Sequence, residues 1–392
     1  MQSDPARAPP ELQGVDLSNW RTPPFNRRAF HHIGDLIPSA PIPCAAGSSS
    51  RFLQGADALN DFGLTVADGT RLDLDGFLRR TATDGWIVVA NGKIVDERYD
   101  NGTTEHTPHI LMSATKSVVG LLVGILQARG ELDIDALVSS LVPEVGSTAY
   151  AGATLRDLID MRTGVVFDSG QQDAYNAATG WEPSLLQGRP VGLHVFFEQA
   201  TAPAGSHGGP FRYVSANTDL LGWAIERATG QTFASLVSAL LWKPMGATSD
   251  AYITLDPEGA PRCTGGLCAT TRDFAAVGQL LIDAGHKNDG AVIPMAWVDD
   301  VMCNGDRESW RQGEFAAAFR GLDMSYRNGW YVIHNEPETL FAMGIHGQHL
   351  FVDRANDLVI AKVSSQTLPI DPGSIALTLA AVSEIRRCLQ QA

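Results

Sequence analysis

The hydrophobic pattern is strand-like near both ends of the chain and helical between them. The run GWIVVANGKIVDERY, residues 85–99, sets two β-rich segments on either side of Asn91-Gly92. That pair suits the positive-φ positions of a type I′ turn and predicts a hairpin. In ILMSATKSVVGLLVGILQARG, residues 110–130, a helix is expected from about Ser113, with Gly130 as its C′ residue. Its apolar positions run almost all round, which marks a buried central helix. TLRDLIDMRTG opens with Thr154 three residues before Asp157, a capping-box variant, and runs to Gly164. SANTDLLGWAIERATG reads as a helix capped near Asn217 and stopped at Gly230, and TRDFAAVGQLLIDAG as another. Towards the end, NGWYVIH, LFAMGIHG and HLFVDRANDLVIAKVSS read as three or four antiparallel strands, followed by an amphipathic helix over Ser374–Leu389. Residues 1–50 read as an extended arm with a little helix. Residues 165–212 lack a regular period and are rich in Gly, Ser, Pro and Gln, the composition of a functional loop or lid.

Strands at both ends can share one sheet if the chain returns to it. The pattern therefore predicts an α/β (α+β) fold, with an antiparallel sheet lobe built from both termini and a mostly helical lobe inserted. The corresponding divisions are 1–125, 126–279 and 280–392.

Composition narrows the partners. The chain has 392 residues, 44% of them hydrophobic, enough for a large core. Its net charge is −15, from 29 basic and 44 acidic residues, with no Lys/Arg block. A nucleic-acid surface needs clustered positive charge, so nucleic acid is not an expected partner. No apolar run reaches the ~18 residues of a membrane span. The N-terminus shows no basic segment followed by an apolar one, so no signal peptide is read there. The five cysteines are scattered, and CTGGLC has no second Cys/His pair at ligand spacing, so free thiols and a cytoplasmic location are expected, with no metal.

The chemistry lies in Ser113-Ala-Thr-Lys116. Residues three apart share a helix face, so both side chains converge at the mouth of the buried helix. Desolvation favours the neutral form of a lysine there, as a proton acceptor needs. The plain alternative is a capping serine with a lysine reaching out to water. A second element is Tyr213, just before a predicted helix in FRYVSANTD, where it can act as a base or fill the rim of the core. A third is MGIHGQHLFVD, a strand whose Gly344 and Gly347 let a substrate lie against backbone N–H groups. No Gly-x-Ser-x-Gly elbow and no His-Glu-x-x-His is present, which argues against a Ser-His-Asp or zinc hydrolase.

Taken in order, Ser-x-x-Lys, a Tyr ahead of LLGWAIERATG and a C-terminal strand with His-Gly resemble the serine β-lactamase/penicillin-binding-protein superfamily. YVSANTD, GIHGQHLFVD and LIDMRTG bring the chain closest to its class C-like branch, beside the family VIII esterases and the 6-aminohexanoate-dimer hydrolases. The resemblance covers roughly residues 80–390 and implies a β-lactamase/transpeptidase-like fold. It implies Ser113 as nucleophile, Lys116 as its activator and Tyr213 as catalytic tyrosine. Ile345 is implied as the strand residue whose N–H joins that of Ser113 in an oxyanion hole. Ser215 stands where class C enzymes carry the Asn of Tyr-x-Asn, and Asn217 is the residue that can supply that amide instead. Ile345-His346-Gly347 replaces Lys-Thr-Gly, so a partner for a substrate carboxylate is lost, which speaks against β-lactams and D-Ala-D-Ala peptides, and His346 is a candidate substrate-binding residue. Gln171 falls where the nylon-oligomer enzymes carry a second tyrosine, with Tyr175 close by, and Trp181 matches an aromatic beside the substrate. The expectation is a serine hydrolase that forms an acyl-enzyme on small ester or amide substrates. It needs no cofactor, metal, nucleic acid or membrane, and a homodimer is a compatible assembly.

Overall fold

The computed structural model describes residues 12–66, 68–183, 191–201, 205–284 and 291–391. Residues 1–11 of the N-terminal arm, and 184–190 and 202–204 of the long loop, lie outside that set. The frame is an eight-stranded sheet. Its spatial order is Met324–Arg327, Trp330–Ile333, Thr339–Gly344, Gln348–Asp353, Leu358–Ser364, Thr83–Ala90, Lys93–Tyr99 and Leu53–Gln54. Neighbours are antiparallel except for the short edge pair of Leu53–Gln54 with Lys93–Tyr99. The C-terminal strand Leu358–Ser364 pairs with Thr83–Ala90, from Leu358 opposite Ala90 to Ser364 opposite Thr83. Both ends of the chain thus build one sheet, as expected.

Strand Thr83–Ala90 is buried at every position because both sheet faces are covered. Ile87 and Val89 face the core that holds Phe274 and Val277 of helix Thr271–Asp283. Trp86 and Val88 face the opposite core, with Phe77 of helix Leu74–Arg80 and Ala381 and Ile385 of helix Pro372–Gln391. The period of two places alternate residues in different layers. At the hairpin, Asn91 has φ 49° and Gly92 φ 70°, the type I′ signature.

The central helix runs Thr115–Ala128, with every residue from Thr115 to Leu126 buried. Lys116 is 2% exposed, so it does not reach out to water. The helix owes its depth to two glycines. A Cβ at Gly120 would lie 1.9 Å from the Asn328 carbonyl oxygen, and one at Gly124 would lie 2.4 Å from the Trp297 ring. Ser117 Oγ donates to the Gly329 carbonyl at 2.6 Å, and Trp330 Nε1 donates to the Ser117 carbonyl at 3.1 Å.

Several local expectations shift. Thr154 forms its capping box with Asp157, but that helix ends at Ile159 rather than near Gly164. The helix expected to be capped near Asn217 runs Ala216–Thr229 with Ser215 at the N-cap, and Gly230 closes it at φ 66°. The long irregular stretch contains helices Ser169–Ala178 and Leu193–Glu198. The N-terminal arm adds strand Ser39–Ile42 to a small second sheet through pairing with Ala251–Thr254. The divisions at 125/126 and 279/280 fall inside the helices Thr115–Ala128 and Thr271–Asp283. Among the described residues no helix is long and apolar enough to cross a membrane.

Because the Asn328 carbonyl cannot retreat without breaking the turn beside Lys116, Gly120→Ala should destabilise the protein by about 1–3 kcal/mol or more. Urea unfolding followed by circular dichroism checks this. An unchanged midpoint would show that the helix can shift freely.

Candidate active site

Ser113 sits in a 3₁₀ turn, Met112–Ala114, that feeds the central helix. Met112 before it has φ 47°, a left-handed conformation that costs a side chain about 1–3 kcal/mol. Packing holds it there, with Met112 1% exposed among Trp20, Phe30 and Ile110. The Leu111 N–H donates to the Leu267 carbonyl at 2.8 Å. From the other side the strand Thr339–Gly344 presses in. A Cβ at Gly344 would lie 2.5 Å from the Leu111 carbonyl and 3.0 Å from Met112 Cβ. Gly344 therefore brings protein backbone, rather than a substrate, against the serine segment. The close approach sets Ile345 beside Ser113, and both line the same clefts. Each stands at the start of a 3₁₀ turn, where the first N–H groups have no intrahelical acceptor and can serve an oxyanion.

Lys116 Nζ lies 3.1 Å from Ser113 Oγ and donates to the Thr264 carbonyl at 2.7 Å. Burial lowers its pKa to about 7, while Asp219 pulls it up and Arg262 pushes it down. The amine also lies 4.8 Å from the centre of the Tyr213 ring. Tyr213 is half-buried, stacked on Phe315 at 5.2 Å, and lines the apolar cleft together with Ser113. Desolvation raises the phenol above its usual range.

Behind Lys116 lies a buried network that the sequence reading did not include. Asp219 Oδ2 accepts from the Tyr175 hydroxyl at 2.6 Å and from Arg262 Nη1. Asp219 Oδ1 accepts from the Thr264 N–H at 2.9 Å. The carboxylate thereby fixes, through its N–H, the residue whose carbonyl receives Lys116. The available signal was a charge inside an apolar helix, the Asp of NTDLLGWAI, since a buried charge demands a partner.

The remaining expected residues separate into two groups. Trp181 and Ser215 line the cleft at Ser113. Trp181 is fixed there by Nε1 donating to Thr254 Oγ1 at 3.1 Å and by Trp20 Nε1 donating to its carbonyl at 2.8 Å. Ser215 makes no side-chain cap bond. Gln171, Asn217 and His346 point elsewhere. Gln171 closes a capping box with Asp168, while its neighbour Gln172 lines the cleft. Asn217 is buried among Tyr150 (3.3 Å), Thr163 (3.1 Å) and Met161, so it does not supply the amide expected at the site. His346, at φ 62°, turns inward to bond the Gln366 carbonyl at 2.7 Å and packs on Phe30. Tyr175 lines the cleft, yet its hydroxyl is committed to Asp219. No cluster of His, Cys, Asp and Glu able to hold a metal occurs among the described residues, and all five cysteines are free thiols.

The beta-lactamase family model matches residues 75–383. The 6-aminohexanoate-dimer hydrolase of Paenarthrobacter ureafaciens is 33% identical over 370 residues, 92% of this chain and 91% of that protein. Esterase EstB of Burkholderia gladioli is 29% identical over 186 residues, 44% of this chain and 47% of its own length. A solved Bacillus anthracis structure, provisionally named a 6-aminohexanoate-dimer hydrolase, superposes with a TM-score of 0.87 at 26% identity. The match covers 98% of this chain and 99% of that one.

With Lys116 titrating at about 7, kcat/KM should rise as pH increases through that value, because only the deprotonated amine accepts the serine proton. Lys116→Arg, permanently charged, should lose about 10²-fold or more. A flat profile from pH 5 to 9, or near-native rates with arginine, would remove Lys116 from this role.

Proposed function

The chain belongs to the beta-lactamase family and is a hydrolase of its serine type, and on that premise we propose that it cleaves carboxylic esters through an acyl-enzyme on Ser113. The observation that carries the proposal is the 3.1 Å contact of Ser113 Oγ with a buried Lys116 amine. A neutral amine that donates to the Thr264 carbonyl keeps its lone pair for the serine hydroxyl. Oγ attacks the ester carbonyl and its proton passes to Lys116, while the N–H groups of Ser113 and Ile345 hold the oxyanion. The opposite pKa directions of Lys116 and Tyr213 favour the lysine as first acceptor and the phenol as donor to the leaving oxygen. Water then enters, and the same groups act in reverse to release the acid.

Ester over amide is favoured by what surrounds the leaving group. Amide cleavage needs firm protonation of the departing nitrogen. Tyr175 gives its hydroxyl to Asp219, and Gln172 offers an amide, which is no proton acid. Linear-amide hydrolysis is the second reading, supported by the 33% identity to the 6-aminohexanoate-dimer hydrolase. Ile345-His346-Gly347 carries no lysine for a substrate carboxylate, which weighs against β-lactams.

A fluorophosphonate probe should label the protein, and Ser113→Ala should abolish labelling and lower kcat by about 10³-fold or more. Initial rates on p-nitrophenyl acetate, the linear 6-aminohexanoate dimer and nitrocefin should rank in that order. A dimer rate equal to or above the ester rate would make the amidase reading the correct one.

A further inference from the structure

Two clefts of different character meet at Ser113 and Ile345. The more polar one, about 160 Å³, is mixed: Gln172, Asn176, Arg262, Thr264 and the Arg21–Glu182 pair share its walls with Tyr175 and Trp181. The other is about 370 Å³ and largely apolar, with walls that include Phe315, Phe319, Leu322, Met343, Ile375 and Leu379. The contrast matters because an ester has two ends, and the catalytic groups distinguish them. Tyr213 lines the apolar cleft together with Ser113 and is absent from the walls of the more polar one; the further cleft that it borders, with Val165 and Glu314, does not have Ser113 in its walls.

Resting on the ester reading above, we propose that the enzyme prefers esters with an apolar alcohol chain of several carbons and a short acyl part bearing a hydrogen-bond acceptor. The alcohol side follows from the proton that the leaving group needs. When the Oγ–carbon bond forms and the carbon–alkoxy bond breaks, the serine proton passes to Lys116 and the departing oxygen takes its proton from Tyr213. The phenol that delivers it stands in the apolar cleft, so the departing alcohol lies there. The acyl part then falls to the polar cleft. Arg262 and Thr264 line that cleft at 3% and 5% exposure, and each keeps one buried atom, Nε and Oγ1 respectively, without a hydrogen-bond partner. A buried donor left unpaired is costly, and a rotation of the Thr264 side chain that brings Oγ1 to the cleft wall lets an acceptor on the acyl chain relieve it. Asp219 already balances the Arg262 charge, so a neutral acceptor such as a hydroxyl or keto oxygen suffices.

The test uses the intact enzyme and isomeric esters. Hexyl acetate and ethyl hexanoate have the same composition with the long chain on opposite sides. Each methylene buried in an apolar site raises kcat/KM about fourfold, so hexyl acetate should exceed ethyl hexanoate by more than about tenfold. Hexyl 3-hydroxybutanoate should exceed hexyl butanoate by about 3- to 10-fold. Thr264→Val should reduce the second ratio and leave the first. Ala318→Asp or Ala376→Asp, at exposed positions lining the apolar cleft, should reduce the first ratio and leave the second. Equal rates for the two isomers, or a preference for ethyl hexanoate, would overturn the assignment while leaving ester hydrolysis at Ser113 intact. If no ester is turned over and the 6-aminohexanoate dimer is, the underlying ester reading falls and this proposal with it.

Discussion

Everything in this molecule is arranged around an amine that has been taken out of water without a carboxylate in contact. Lys116 is held by the Thr264 carbonyl and Ser113 Oγ, and Asp219 is hydrogen-bonded not to it but to the N–H of Thr264. A bare ammonium in such a place costs several kcal/mol, so the site favours the neutral amine near pH 7. The surrounding features serve that condition. The helix is apolar on all sides and is sunk to its depth by Gly120 and Gly124. Arg262 and Tyr175 absorb the charge and lone pairs of Asp219, which could otherwise pair with the lysine and keep it protonated.

A second lysine shows why burial alone is insufficient. Lys362 is fully buried, contacts Ser364 Oγ, and is likewise lowered to about 7 by desolvation. Its serine is also fully buried, whereas Ser113 opens onto two clefts. Lys362 instead lies 3.4 Å from the Gly347 carbonyl, in the turn that presents Ile345. One Ser–Lys contact opens onto two clefts, and the other braces the frame beneath it.

Local signals in the sequence were legible where local physics decides. Asn91-Gly92 specifies its own turn, Thr154 caps its own helix, and Gly230 ends the one before it. Ser113 and Lys116 were legible because helical spacing alone brings them together. The failures share one cause, that a side chain's direction is set by caps and backbone turns that composition does not fix. Gln171 is turned aside by Asp168 to cap a helix that the composition hid. Asn217 is the second residue of its helix because the cap falls at Ser215, and its amide lies in the core. His346 is flipped inward by a left-handed backbone that no pattern in IHGQ announces. The Asp219–Arg262 pair joins residues 43 apart and needed a reason to look for a partner.

The site draws its parts from far along the chain: Ser113 and Lys116 early, Tyr213 and Thr264 in the middle, and Ile345 near the end. The strand that presses Met112 into its left-handed conformation is Thr339–Gly344. Thr83–Ala90 likewise waits for Leu358–Ser364 before its own edge is closed. A nascent chain therefore carries its serine and lysine for more than 200 residues of synthesis without an oxyanion hole. On the proposed mechanism, Ser113 meets Ile345 only once the C-terminal strands have emerged and docked, which would make hydrolytic activity a reporter of complete folding.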